Sequence, residues 1–182
     1  MLSQIEKIEN KILCSQCKGK CCQRHACECL PYDFNFDVDL IEKALESGKY
    51  SIDFERKSSQ SFISRANKSI TLNLYSILCS QEECLYIRPR NKNRPIVDIL
   101  HSKEDEGPCV FWSLEKGCEL SYEQRPTMGK VLLPLPDNNC VHLFSRGVLI
   151  EEWKPYTKEI FELAKKFFDE DWYLYQELNF KL

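Results

Sequence analysis

Apolar positions along this chain change period several times, and each change marks a predicted element. Ile5, Ile8 and Ile12 stand three and four apart, the spacing of one helix face, and lead into the first cysteines. Lys18-Gly19-Lys20 breaks that pattern and predicts a turn, because Gly19 accepts backbone angles that larger residues resist. Val38, Ile41 and Leu45 predict a second helix over 37–47, capped by Asp37 or Asp39 and stopped by Gly48. Period two then takes over. Residues 51–54 read as a short strand, 55–68 as a polar loop, and Ile70, Leu72 and Leu74 alternate with Thr71 and Asn73 as a strand does. Residues 85–88 and 96–99 are the next strands, and short polar connections favour an antiparallel meander.

Residues 102–127 keep no period, which predicts an irregular stretch held by glycine, proline and metal. Past Cys140 the helical spacing returns. Val148, Leu149, Glu152 and Trp153 fit one helix, and Pro155 starts or kinks the next. Ile160, Leu163, Ala164, Phe167 and Phe168 give the last helix a wide apolar face that Trp172, Tyr173 and Tyr175 extend. That stripe reads as core packing. No repeat, low-complexity tract or linker interrupts the chain, so 1–182 is expected to be a single domain. The fold class expected is α+β: a small antiparallel sheet, peripheral helices and a loop-rich cysteine metal centre.

Composition narrows the function classes. With 43% hydrophobic and 12% aromatic residues and only 6 glycines, the chain is expected to fold around a core and not to be disordered. A net charge of -3 exerts no general pull on nucleic acid or anionic lipid. No stretch approaches the roughly 18 uncharged apolar residues that a spanning helix needs. Neither a membrane nor nucleic acid is therefore expected as a partner. Arg88, Arg90, Lys92 and Arg94 are the local exception. They read as a solvated hairpin tip, or as arginines of which one pairs with a carboxylate near the metal site.

The outlying number is 11 cysteines. In a secreted chain such a count suggests disulfides. Here residues 1–10 carry Glu6, Lys7 and Glu9 where a signal peptide would have its apolar core, and an odd count leaves one thiol over. The expectation is a reducing, cytoplasmic compartment, with thiolates on metal.

Cys14, Cys17, Cys21 and Cys22 form the pattern C-x2-C-x3-C-C. Two residues between cysteines let a tight turn aim both sulfurs at one ion while its amides donate to them. Adjacent cysteines point apart, so Cys21 and Cys22 serve two metals, or one ligates while the other packs. Lys11, Lys18, Lys20 and Arg24 lie near enough in sequence to offset thiolate charge and lower thiol pKa. Far downstream, Cys109, Cys118 and Cys140 are candidates to close a site that one short loop cannot complete. Cys79 and Cys84, beside predicted strands, read as buried or hairpin cysteines.

Together, C-x2-C-x3-C-C, Gly107-Pro108-Cys109-Val110-Phe111, Gly117-Cys118-Glu119-Leu120 and Arg125-Pro126 resemble the YkgJ-like cysteine-cluster proteins, over roughly residues 14 to 140. Pro31, Asp33 and Phe34, and the run Tyr86-Ile87-Arg88-Pro89-Arg90, resemble one branch of that family. The resemblance implies a zinc- or iron-chelating protein, in some descriptions an iron–sulfur protein. The family pattern R-P-x-x-C-R departs here to Arg125-Pro126-Thr127-Met128-Gly129-Lys130. Gly129 cannot ligate. The site then has one ligand fewer, or Cys27, Cys29, His25 or Cys140 replaces it.

Zinc and iron–sulfur centres both suit thiolates. The ferredoxin spacing C-x2-C-x2-C-x3-C-P is absent, and Cys17-x3-Cys21 is followed by Arg24 where a radical-SAM loop needs cysteine. Scattered ligands that tie an N-terminal loop to a distal one favour zinc, with a mainly structural role. An iron–sulfur redox protein is the alternative. A protein-modifying enzyme is another, because flagellin lysine N-methylases carry a similar cluster motif, although the chain shows no glycine-rich cofactor loop. His25, His101 and His142 join no acid–base constellation; His101 lies beside Glu104, Asp105 and Glu106 in an acidic loop, and His142 is a possible ligand near Cys140. No nucleophile elbow, phosphate loop or H-E-x-x-H motif occurs. Whether the chain is an enzyme is left open.

Overall fold

The computed structural model describes residues 16–24, 26–56, 83–98, 107–134, 140–142 and 146–167. In chain order its elements are α1 (Lys20–Arg24), a 3-10 turn (Pro31–Phe34), α2 (Val38–Glu46), β1 (Tyr50–Arg56), β2 (Glu83–Pro89), β3 (Trp112–Ser113) and β4 (Gly117–Cys118). Then follow α3 (Thr127–Lys130), β5 (Leu132–Pro134), β6 (Cys140–His142), α4 (Arg146–Trp153), a 3-10 turn (Lys154–Tyr156) and α5 (Thr157–Phe167). The fold is α+β, with antiparallel two-stranded sheets β1–β2, β3–β4 and β5–β6 among the described residues. No described helix is long and apolar enough to cross a membrane.

The sheet β1–β2 organises the core. Ile52 stands opposite Ile87, Phe54 opposite Leu85 and Asp53 opposite Tyr86. Opposed residues share a face, so Ile52, Phe54, Leu85 and Ile87 form an apolar side, while Ser51, Asp53, Tyr86 and Arg88 form a polar one. Both sides are buried. Withdrawing charge from water is costly unless it is paired. Arg88 accordingly places Nε 2.8 Å from Asp53 Oδ2 and Nη2 3.4 Å from Asp98 Oδ2, and Tyr86 Oη donates to Asp53 Oδ2 at 3.2 Å.

Asp98 reaches this pair along the outer edge of β1. Ile52 N–H donates to the Ile96 carbonyl at 2.7 Å, and Asp98 N–H donates to the Ile52 carbonyl at 2.8 Å. The bridge between Ile52 and Val97 is parallel, which corrects the expected meander: 96–98 is a brief parallel bridge. Period two cannot distinguish parallel from antiparallel pairing. The predicted strand at 70–74 and the first predicted helix lie outside the described residues. So do Phe168, Trp172, Tyr173 and Tyr175.

The basic run is likewise not a solvated tip. Arg88 is buried in its carboxylate pair. Arg90 donates from Nε to the Gly48 carbonyl and from Nη1 to the Arg94 carbonyl, both at 2.6 Å, fastening the end of β2 to the end of α2. Arg94 Nε lies 4.0 Å from Asp98 Oδ2. Lys92 is exposed.

Helices close the core. Asp37, not Asp39, caps α2 by accepting the Asp39 N–H at 2.9 Å, and Gly48 follows its end at φ +67. Ile41 and Leu45 are buried, and α2 packs against β1 and α5. Both α4 and α5 pack against β2, bringing Leu149, Ile150, Trp153, Ile160, Leu163 and Ala164 into one cluster with the sheet. Pro155 lies in the 3-10 turn between them, so it bends the chain from one helix to the next. Cys84 is fully buried in β2, as its strand position suggested.

Replacing Arg88 by Met keeps most of the buried stem and strips the charge from two buried carboxylates. Urea denaturation of R88M is expected to show a loss of about 3–5 kcal/mol, the usual cost of breaking a buried pair.

Candidate metal centre

Two glycine turns bring the distant cysteine segments together. Lys18 and Gly19 have φ of +50 and +67, and Gly117 has φ of +74. A Cβ on Gly117 would lie 2.9 Å from the Lys18 carbonyl carbon and 3.2 Å from Gly19 N. A Cβ on Gly19 would meet Cys118 N at 3.1 Å. The turns therefore touch backbone to backbone, a distance open only to glycine. Hydrogen bonds flank the contact: Trp112 Nε1 donates to the Lys18 carbonyl at 2.9 Å, and Cys109 N–H donates to the Cys22 carbonyl at 2.8 Å.

The distal segment is held from behind as well. Lys92 N–H donates to the Pro108 carbonyl at 2.8 Å and Val110 N–H to the Arg90 carbonyl at 2.9 Å. The side chain of Asn91, fully buried, donates from Nδ2 to the Gly107 carbonyl at 2.5 Å. Cys118 lies in the β3–β4 hairpin opposite Trp112. The irregular stretch thus contains a small hairpin, whose two-residue strands are too short to impose a period.

A second wall rises from the core. Cys29 N–H donates to the Ile87 carbonyl at 2.9 Å, and its own carbonyl accepts from Trp153 Nε1 at 2.8 Å. Asp33 clamps this wall to α3: its carboxylate accepts from Thr127 N–H at 3.0 and 2.8 Å, from Thr127 Oγ1 at 2.6 Å and from Leu30 N–H at 2.9 Å. Sheet β5–β6 then places Cys140 opposite Pro134, just beyond α3.

These walls enclose a cavity of about 320 Å³ bordered by Cys17, Cys22, Cys27, Cys109, Cys118 and Cys140. All six are thiols. Five of the seven residues expected as ligands are thus brought to one space. Cys14 lies outside the described residues, and Cys21 lies on α1. Among the described residues no three His, Cys, Asp or Glu side chains are grouped tightly enough to hold an ion between them. The thiols ring the cavity at its walls. Of the reserves, Cys27 borders the cavity and His25 lies outside the described residues. Cys29 is only 1% exposed and belongs to the core. Burial pushes its thiol well above the ordinary range, and the charges of Asp33, Cys27, Glu28 and Cys109 add to that push. Tyr50, near the same wall, is raised to about 12, first by burial and then by Cys29, Asp33 and Cys109.

Of the cations suggested by the sequence, Lys11 lies outside the described residues and Lys18 and Lys20 are exposed. Lys116, Arg125 and Lys130 border the cavity, Lys116 as an exposed residue at its rim. Only Arg125 could have been singled out beforehand, through Arg125-Pro126. Gly117 stood out only within the run Gly117-Cys118-Glu119-Leu120, and its docking role had no local signal because its partner is the distant Lys18-Gly19 turn.

No family model, curated protein or solved structure matches the chain. Fold and cavity define a small α+β protein with a thiol-lined space between an N-terminal loop and a distal hairpin.

Gly117→Ala adds both strain and a backbone collision, and is expected to destabilise by about 1–3 kcal/mol. It should also raise the alkylation rate of Cys17 and Cys22 relative to buried Cys84, measured by peptide mass spectrometry. Gly48→Ala serves as the control, because Gly48 has φ +67 but nothing within 4 Å of an added Cβ. Equal exposure of Cys22 in both variants would refute the docking role of Gly117.

Proposed function

We propose that the chain is a metal-chelating cysteine-cluster protein of the YkgJ-like kind, with thiolates from both segments holding metal that clamps them together. Cys14, Cys17, Cys21, Cys22, Cys109, Cys118 and Cys140 are the ligands proposed, and zinc is the metal favoured. The observation that carries this reading is the gathering of cysteines from residues 17 to 140 around one cavity of about 320 Å³. Thiols serve zinc as thiolates, losing their protons on binding, and cations at the wall favour that loss. Lys116, Arg125 and Lys130 stand where such help is needed. A metal bound there would join the N-terminal loop to the hairpin covalently, a structural role that requires no acid–base residues. Its compartment, on this reading, is the cytoplasm.

An iron–sulfur redox centre is the second reading. It is favoured by one observation: six bordering thiols exceed the four of a single tetrahedral zinc. Two zinc ions, or a cluster beside a zinc, also use the excess.

Anaerobically purified protein is expected to contain zinc at one or more per chain and to be colourless. Chelation should lower its melting temperature by about 10 °C or more, since several kcal/mol of linked binding are lost at about 2–4 °C each. Iron with sulfide and a visible charge-transfer band would replace zinc by the iron–sulfur reading. Protein free of both metals, with an unchanged melt in chelator, would defeat the proposal.

A further inference from the structure

Gly129 occupies α3 without a backbone reason to be glycine. Its φ is not in the left-handed region, unlike those of Gly19, Gly48, Gly107 and Gly117. Inside a helix glycine is disfavoured by about 1 kcal/mol relative to alanine. What the position requires is space. A Cβ on Gly129 would lie 3.3 Å from Cys27 Cβ and 3.4 Å from Cys27 Sγ. The bare backbone at 129 leaves that space to the sulfur of Cys27, which borders the cavity with Cys17, Cys22, Cys109, Cys118 and Cys140.

From this juxtaposition we infer that Cys27 is a metal ligand, supplying from the loop the sulfur that position 129 of α3 does not. The inference rests on the metal-chelating reading above and adds one ligand to it. Both sides of the contact are anchored. Asp33 binds Thr127 N–H and Oγ1, which sets α3, and the Cys29 backbone is tied to Ile87 and Trp153, which sets the loop. A thiol from either position reaches the same part of the cavity, so one sulfur has two alternative sources and the chain uses position 27. Cys29, two residues on, serves a different purpose: it is packed with the sheet and α4 in the core. On binding, the Cys27 thiol gives its proton to solvent and its sulfur donates to the metal.

The test loads full-length protein anaerobically with Co(II), whose thiolate charge-transfer band reports sulfur ligands, and with Zn(II) against a competing chelator. Cys27→Ser is expected to lose one thiolate's share of the band and to bind at least about 10-fold more weakly, since even outer-shell partners are worth that much. The double variant Cys27→Gly with Gly129→Cys, which clears the Cβ that a side chain at 129 would meet, is expected to regain both. Cys29→Ser should leave the band intact even where it lowers stability. In wild-type protein, Zn(II) should shield Cys27 from alkylation, read by peptide mass spectrometry, and this arm does not depend on how the variants fold. Wild-type protein that binds metal while Cys27 stays reactive, or a Cys27→Ser variant with full band and affinity, overturns the assignment alone. A double variant as weak as Cys27→Ser overturns the equivalence of the two positions. Wild-type protein that takes up neither ion overturns the metal reading and this assignment with it.

Discussion

Gly19 and Gly117 meet with no side chain between them, and the cavity depends on that contact. It fixes how near the loop carrying Cys17 and Cys22 can come to the hairpin carrying Cys118. The flanking bonds, Trp112 Nε1 to Lys18 and Cys109 N–H to Cys22, then set the angle between the two segments. Closing a long loop costs conformational entropy that rises only slowly with its length. Here backbone packing bears that cost before any ion is considered. A metal bound between these walls would find its donors gathered in one space and would still have to draw them together.

The other wall takes its position from the core. Cys29 is the joint: its N–H reaches β2 and its carbonyl reaches Trp153 of α4, so the segment carrying Cys27 inherits the rigidity of the β1–β2 sheet. That sheet is in turn held on its polar side by Arg88 between Asp53 and Asp98. Asp33 extends the connection to α3 by accepting from Thr127 N–H with both carboxylate oxygens and from Thr127 Oγ1, while Leu30 N–H holds it within its own loop. Hydrogen bonds to a charged acceptor contribute about 1.5–3 kcal/mol each at most, so this clamp is among the stronger local ties. The cavity thus lies between a wall set by the sheet and a wall set by glycine packing.

What could be read from the sequence follows the range of each interaction. The second helix was legible with its cap and its stop because Asp37, Ile41, Leu45 and Gly48 act within a few residues of one another. Strands β1 and β2 were each found short by three residues, and the α+β class followed. Long-range geometry was not legible. The arginine run looked like a solvated tip because nothing in its neighbourhood announces Asp53 across the sheet. Cys27 and Cys29 are equivalent as a sequence pattern, and only packing sends one to the cavity and the other to the core. The β3–β4 hairpin escaped because two-residue strands carry no period.

Charge limits what the cavity can hold. Six thiols ionised together would repel one another strongly in a partly enclosed space, since Coulomb energies there are several times those in water. Arg125 and Lys130, partly buried at the wall, offset part of that charge, and Lys116, Lys18 and Lys20, being exposed, are screened by solvent and offset less. Like charges oppose ionisation, so the full set of thiolates would form only around bound cations. On the metal-chelating reading, a single tetrahedral ion would leave two of the six thiols unused, whereas a pair of ions, or a cluster with an ion, uses the six sulfurs more fully. On that reading, six bordering thiols, two more than one tetrahedral site takes, match a centre of more than one metal atom.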